Sequence, residues 1–559
     1  MSSDQASPAT SAETRAAMNY RLSKGEIEQL CAYGERRHHK EGDTLIDEGD
    51  VESDVLVLLS GGLNVYLHED GEERRVGWLE PGQFTGDVSV ITGQPALIFA
   101  RMVADGEVLH LSSAAMRRIL VENSELSDVF VTTFTARRAW ARSAGRSSVV
   151  LLGRALDRES FALRDLLSKH DVPFLWADVD ADERGKTMVD RLGFTAEDLP
   201  VLVTGAVKHL VRPSIEEAGR ALGLDLIPDN ACADIIVVGA GPAGLAASVY
   251  AASEGLSVVT LDASAPGGQA GTSSKIENYL GFPSGISGQE LADRARLQAQ
   301  KFGVRIASPV HAATLSRDGQ DYVLTTGDGR TLKCRAIVVA TGANYRRLPI
   351  ENLESYEGRG VYYGATAMEA QICQGSSIAI VGAGNSAGQG AVFLSKAAKD
   401  VHVLYRRNDI RETMSEYLVR RLEETPNIHL HPETEIKALH GDETNLKSVT
   451  IKTAGDEKPL DACFVFLFIG AAPCSGWLDE TVARDDKGFL KTGSAIANIE
   501  LVRAGWSLDR MPSQYETTWP RVFAVGDVRA GSVKRVASGV GEGSVVIQAV
   551  HRAVSEISR

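Results

Sequence analysis

The sequence predicts a multidomain α/β chain: an N-terminal β-roll with helices, a small α/β domain, and two doubly wound α/β domains, the second inserted in the first. Three observations predict this. Residues 54–111 break into short strand-like runs separated by glycine turns. Residues 147–226 alternate strand, helix, strand, helix and strand. Beyond residue 232, two apolar runs each lead straight into a glycine-rich turn: residues 235–238 into Gly239, Ala240, Gly241, Pro242, Ala243 and Gly244, and residues 378–381 into Gly382, Ala383, Gly384, Asn385, Ser386 and Ala387. Such a turn from strand to helix aims backbone N–H groups and a helix N-terminus at a pyrophosphate. Two of them imply two nucleotide cofactors and electrons passing between them.

Composition narrows the field. The 559 residues allow three or four domains, and 43% hydrophobic with 24% charged residues is ordinary globular chemistry. A net charge of −15 argues against nucleic acid, which needs a basic face to displace counterions. The six cysteines, Cys31, Cys232, Cys334, Cys373, Cys463 and Cys474, contain no CxxC pair and are too scattered for a disulfide framework or a metal site. Reduced thiols in a cytoplasmic protein are expected. Residues 1–18 lack an apolar signal segment. Residues 235–253 are uncharged and near membrane-spanning length, but they contain the first glycine turn and read as a buried strand and helix, so no membrane span is expected.

In chain order, residues 1–18 are expected to be a disordered tail and residues 19–144 the first domain. Its strands fall at 54–59, 62–68, 75–79 and 107–111. A helical segment at 127–142 offers Val129, Phe130, Phe134 and Trp140 to a core or a second subunit. Residues 61–93 resemble the cyclic-nucleotide-binding domains, through Leu79, Glu80, Pro81, Gly82, Gln83, Phe84, Thr85, Gly86 and Asp87. That resemblance implies a nucleotide-like ligand, with a Glu for the ribose and an Arg for the cyclic phosphate. Here Asp87 stands for the Glu and Ala96 falls at the Arg position. Loss of the guanidinium removes the strongest contact an anionic phosphodiester can find, so a degenerate regulatory or dimerising module is expected.

Residues 147–226 have strands at 148–152, 173–178 and 199–203 and helices at 157–170 and 186–192. This order resembles thioredoxin and glutaredoxin domains, including a proline, Pro200, before the third strand. Those domains place a redox Cys after the first strand; this chain has Gly153, Arg154, Ala155, Leu156 and Asp157. Docking or packing is the expected role. Residues 224–230 read as a linker.

The first glycine turn is followed by a strand at 257–261 that ends on Asp262, about twenty residues on, where a carboxylate suits the 2′-OH of an adenosine ribose. The strand after the second turn ends instead on Tyr405, Arg406 and Arg407, with Arg411 beyond. Guanidinium groups match a 2′-phosphate and a carboxylate would repel it, so NADPH is expected over NADH.

Residues 232–559 resemble the low-molecular-weight thioredoxin reductases. The motifs that carry the resemblance are Pro266-Gly267-Gly268-Gln269, Ile276-Glu277-Asn278-Tyr279, Ala340-Thr341-Gly342 and Gly526-Asp527-Val528. The resemblance implies an FAD domain at 232–347 and 471–559, split by an NADPH domain at 348–470 with hinges near Arg346 and Ala471. It places Gly268, Gln269, Asn278, Thr341 and Gly342 around FAD, Asp527 at its ribityl–pyrophosphate region, and Lys534, Arg535, Val536 and Ala537 beside the flavin ring. Both resemblances imply a homodimer.

The departure is local. Where the reductases carry Cys-Ala-Thr-Cys-Asp, this chain has Gly364, Ala365, Thr366, Ala367 and Met368. Thiol–disulfide exchange needs a thiolate and a resolving partner. The reading that follows is an NADPH oxidoreductase in which FAD takes hydride and passes electrons to a small-molecule or protein acceptor without a dithiol relay. A non-catalytic FAD/NADPH-binding sensor governed by the N-terminal domain is the first alternative. A thioredoxin-disulfide reductase with unrecognised thiols is the second.

Overall fold

A computed structural model describes residues 12–557 apart from 52, 70–71, 144–146, 205–207, 226, 274 and 443–444. The chain packs as two compact units. One comprises residues 1–154, 163–227 and 297–309, and the other residues 155–162, 228–296 and 310–559.

The first unit begins with a helix, Ala12–Met18, where a disordered tail was expected. Its C-terminal carbonyl, on Met18, accepts from Arg137 at 3.0 Å, a tertiary contact that local composition does not announce. Residues 1–11 of the expected tail lie outside the described residues.

Two antiparallel sheets form the β-roll. One orders Glu35–His39, Gly106–Leu111 and Val55–Leu58, and the other Thr44–Ile46, Phe99–Ala104, Gly62–Glu69 and Glu72–Leu79. Val55, Leu56, Val57 and Leu58 are all fully buried because that strand is apolar on both faces. Helix Ser124–Ser143 covers the roll, with Phe130 and Phe134 inserted around Phe84.

The next layer is a four-stranded sheet ordered Lys208–Val211, Val201–Thr204, Val149–Gly153 and Leu175–Asp178. Its last two strands are parallel and its first three antiparallel. The Leu199–Pro200 peptide is cis. Strand Lys208–Val211 and helix Ile215–Ala221 complete the layer. The helix starts at a capping box in which Ser214 and Glu217 satisfy each other's backbone N–H.

Besides a two-stranded ribbon and a three-stranded antiparallel sheet ordered Thr434–Gly441, Leu446–Thr453 and Asp456–Leu460, the second unit holds two large sheets. In the first, Val258–Leu261, Ala231–Val238 and Thr331–Val339 lie side by side and parallel, followed by the antiparallel strands Asp321–Thr326 and Ala312–Asp318. The late strand Val522–Ala524 returns to pair with Thr331–Val339. In the second sheet all pairs are parallel, in the order Val361–Tyr362, Phe464–Leu467, Ser377–Val381, Asp400–Leu404 and Ile428–His431. The chain leaves the first sheet and comes back through a two-stranded ribbon, Ala343–Tyr345 against Ala471–Pro473. Arg346 N–H bonds Gly470 O beside that ribbon, at 2.9 Å.

Candidate functional site

Strand Ala231–Val238 runs into Gly239, whose φ of 107° lies in the left-handed region. A Cβ at Gly239 would stand 2.2 Å from the carbonyl oxygen of Ala340, so both torsion and space demand glycine. Helix Pro242–Ser253 follows, with Gly241 at its N-cap and no side chain capping it. Its first-turn N–H groups therefore stay available to an anion. The second glycine segment folds back on this turn: Gly267 N–H donates to Ala240 O at 2.7 Å, and a Cβ on Gly268 would lie 3.1 Å from the Cα of Gly241. Two bare backbone stretches thus form one wall.

Asp262 braces that wall. Its carboxylate accepts from Ala240 N–H at 2.7 Å and from Ser264 N–H at 2.9 Å. Gln269 donates to Ala343 O, Thr341 Oγ1 donates to Cys474 O at 2.7 Å, and Gly342 O receives Cys474 N–H at 3.1 Å. Asn278 sits exposed in a turn, and beside it Glu277 pairs with Arg421 at 3.0 Å.

Gly526 brings Asp527 to the first glycine turn, because a Cβ there would fall 2.8 Å from the Cβ of Ala243. No hydrogen-bond donor among the described residues reaches the Asp527 carboxylate, and burial pushes its pKa up. Hydroxyl donors on a ligand would satisfy it. Lys534 Nζ donates to Asp527 O at 2.5 Å and lies over the Phe489 ring, 4.5 Å from its centre; burial pushes its pKa down. Arg535 and Ala537 are exposed, with Val536 half-buried at the start of helix Val536–Ile557.

Sequence reasoning missed Glu542 on that helix. It is buried, accepts from Gly526 N–H at 2.7 Å and pairs with Arg529 at 2.5 Å. Its signal was a carboxylate in the small and apolar first half of the helix, residues 536–547.

The second turn is built alike. Gly382 has φ 148°, and a Cβ there would meet Phe468 O at 2.4 Å. Gly384 caps helix Asn385–Leu394 and faces open space. Asn385 Oδ1 accepts from Ser415 N–H at 2.7 Å, Ser386 is exposed, and Ala387 is buried in the core under the turn. Arg406 and Arg407 follow strand Asp400–Leu404 on the surface. Arg407 pairs with Glu412 at 2.5 Å, and Arg411 pairs with Glu423 at 2.7 Å. Such exposed pairs are worth about 0–1 kcal/mol, so a phosphate could displace them.

Gly364 approaches Thr272: a Cβ added to it would lie 3.4 Å from the Thr272 Cβ. Ala367 opens the short helix Ala367–Ile372, whose capping box joins Thr366 and buried Glu369, with Met368 N–H also bonded to the Thr366 hydroxyl. All six cysteines are free. Burial pushes the pKa of Cys334, Cys463 and Cys474 up and that of Cys373 up to about 11. These thiols are therefore not poised as thiolates. Among the described residues no group of three or more His, Cys, Asp or Glu could hold a metal ion, and no helix is long and apolar enough to cross a membrane.

Residues 233–556 match the family model described as pyridine nucleotide-disulphide oxidoreductase. The chain belongs to this family. As an oxidoreductase of this type it is 29% identical to the thioredoxin reductase of Bacillus subtilis over 326 residues, 58% of this chain and 95% of that protein. It is 31% identical to the NADPH-dependent thioredoxin reductase 3 of Arabidopsis thaliana over 327 residues, 57% of this chain and 58% of that one. A crystal structure of Lactococcus lactis thioredoxin reductase in its FR conformation aligns with a TM-score of 0.52 at 26% identity, covering 58% of this chain and 99% of that one. Residues 36–123 match the cyclic nucleotide-binding domain model. The oxidoreductase region carries the two glycine walls just described. Their open helix N-termini and the donor-less Asp527 carboxylate fit two dinucleotides.

Proposed function

We propose that residues 232–559 form an NADPH oxidoreductase that uses FAD and delivers electrons to an external acceptor with no dithiol relay. Thioredoxin reductases use FAD and NADPH, and the two glycine turns are where this chain would hold them. Bound FAD supplies the hydride acceptor and the electron exit.

The chain's own part is positioning. Gly239, Gly241, Pro242, Ala243 and Gly244 would face the FAD pyrophosphate, with Asp262 bracing that turn and reaching the ribose. Gly268, Gln269, Asn278, Thr341, Gly342, Asp527, Lys534, Arg535, Val536 and Ala537 would bear on the rest of the cofactor. Gly382, Gly384, Asn385, Ser386 and Ala387 would form the NADPH turn, with Arg406, Arg407 and Arg411 receiving the 2′-phosphate.

One observation carries the reading. Gly364 and Ala367 stand where the reductases carry cysteines. No disulfide joins any of the six thiols present. The layer at 147–226 supports it: we read this layer as thioredoxin-like from its strand order, and it contains no cysteine. A homodimer in a reducing cytosol completes the proposal, and light scattering checks the dimer.

The test is anaerobic reduction of the purified full chain by NADPH, followed by a panel of thioredoxin with a dye disulfide, ferredoxin, quinones and dioxygen. A six-cysteine replacement should keep its turnover within about twofold. Thioredoxin-dependent turnover that one cysteine pair abolishes overturns the reading. Ala96 at the phosphate-arginine position and the lack of any cysteine in 147–226 favour a second reading, a non-catalytic FAD/NADPH-binding sensor governed by the N-terminal domain. Flavin that NADPH fails to bleach would establish that one.

A further inference from the structure

The residues matching the cyclic nucleotide-binding model do not fit a cyclic nucleotide. Asp87, at the ribose position, already has a guanidinium: Arg138 Nε donates to it at 2.8 Å, and Arg138 Nη2 lies 2.7 Å away. Its other oxygen accepts from the Ser89 N–H at 2.9 Å and the Ser89 hydroxyl at 2.5 Å. Arg138 is 2% exposed, and it also donates to the Asp171 carbonyl at 3.1 Å. Arg142 pairs with the Asp171 carboxylate at 2.5 Å. These contacts tie the ribose-position carboxylate to the turn after helix Arg158–Lys169.

The donors beside this carboxylate are engaged as well. The neighbouring Arg137 donates to Gly86 O at 2.8 Å and Met18 O at 3.0 Å. Ala96, at the phosphate-arginine position, is buried, and its N–H is bonded to Asp50 O at 2.9 Å. The N–H groups opening helix Ser89–Thr92 are engaged too: Val90 with Asp87 O at 3.2 Å and Ile91 with Val88 O at 3.0 Å. An anion placed here would meet the half-buried Asp87 carboxylate, and the donors just named are already engaged.

The same segment has a protein partner instead. Pro95 packs on Gly223 so closely that a Cβ there would lie 2.5 Å from the proline Cδ, and Gly223 has φ 66°. Leu97 packs on the apolar core of the four-stranded layer, with Val149, Leu163 and Leu222.

We propose that residues 87–97 are a permanent intramolecular dock that fastens the β-roll to the four-stranded layer and takes no cyclic nucleotide. The dock uses the place a ligand would need, so the domain works as a scaffold whose state does not depend on cAMP or cGMP.

The test uses the full chain with cAMP and cGMP as probes, read by thermal shift and amide hydrogen exchange. At millimolar nucleotide, neither the melting temperature nor exchange across 87–97 should change. Arg138→Ala and, independently, Gly223→Leu should each raise exchange across 87–97 by roughly tenfold, because local opening no longer breaks the dock. Exchange in the parallel sheet at 377–404 should stay at the wild-type level. Should Arg138→Ala not fold, Arg138→Lys should give a smaller rise at the same residues. Saturable nucleotide binding that Asp87→Asn abolishes overturns the proposal, as does unchanged exchange at 87–97 in both variants. Flavin content and NADPH bleaching, measured on the same samples, distinguish failure of the dock from failure of the redox reading.

Discussion

The Glu542 carboxylate accepts the Gly526 N–H at 2.7 Å and holds the loop that carries Asp527. Arg529 completes the arrangement at 2.5 Å, and both side chains are largely shielded from water. Removing one partner of a buried pair costs about 3–5 kcal/mol because the other charge is stranded. Glu542→Ala should lower the melting temperature and the flavin absorbance per protein. Glu542→Gln, which keeps an acceptor for Gly526, should lose less of both. Full flavin content in Glu542→Ala would show that the loop is held by other means.

Arg406 and Arg407 should distinguish the two pyridine nucleotides. Replacing both with Ala should raise the KM for NADPH by roughly tenfold or more, the loss expected of a charge-assisted pair, with little change for NADH. Steady-state titrations with each nucleotide decide it. Equal losses for both would remove the 2′-phosphate assignment.

Gly364 leaves room for a side chain. The Cβ of a residue at 364 would make ordinary contact with Thr272. The double variant Gly364→Cys, Ala367→Cys should therefore fold and, after mild oxidation, show two fewer titratable thiols than after reduction. Thiol titration of the unfolded protein measures this. No difference would mean that the helix start at Ala367 cannot bring the two sulfurs together.

His431 should make stability fall on the acid side of neutrality. Burial, then the neighbouring His402, Lys458 and His429, push its pKa down to about 4. Its Nε2 lies 3.0 Å from His402 Nδ1. A histidine with a lower pKa in the folded than in the unfolded state favours the neutral form. Its contribution is present above the ordinary value of about 6.5 and is lost as pH falls toward 4. The melting temperature of His431→Gln should fall less than that of the wild type between these pH values. Parallel curves would assign the acid sensitivity elsewhere.

Much of the candidate site was readable because it is local. Gly239 and Gly382 announce sharp turns, and the residues ending the next strands, Asp262 and Arg406, follow at a spacing set by strand and helix length. Other features escaped because their partners are remote. Strand Lys208–Val211 is too short to show a period of its own and exists by pairing with Val201–Thr204. Helix Ala12–Met18 is only seven residues long and sits in a polar, alanine-rich segment with too few apolar residues to mark a face.

Sequence alone determined the two glycine turns, the charge at each strand end, and the absence of cysteines at 364 and 367. Each depends on residue type and spacing along a few turns of chain. It could not assign Glu542 to Gly526 or Arg138 to Asp87, which lie 16 and 51 residues apart. Folding made those choices, because a carboxylate shielded from water is stabilised by whichever donor packing brings to it. Asp87 looked like a weakened ligand residue, and the fold gives it an internal arginine.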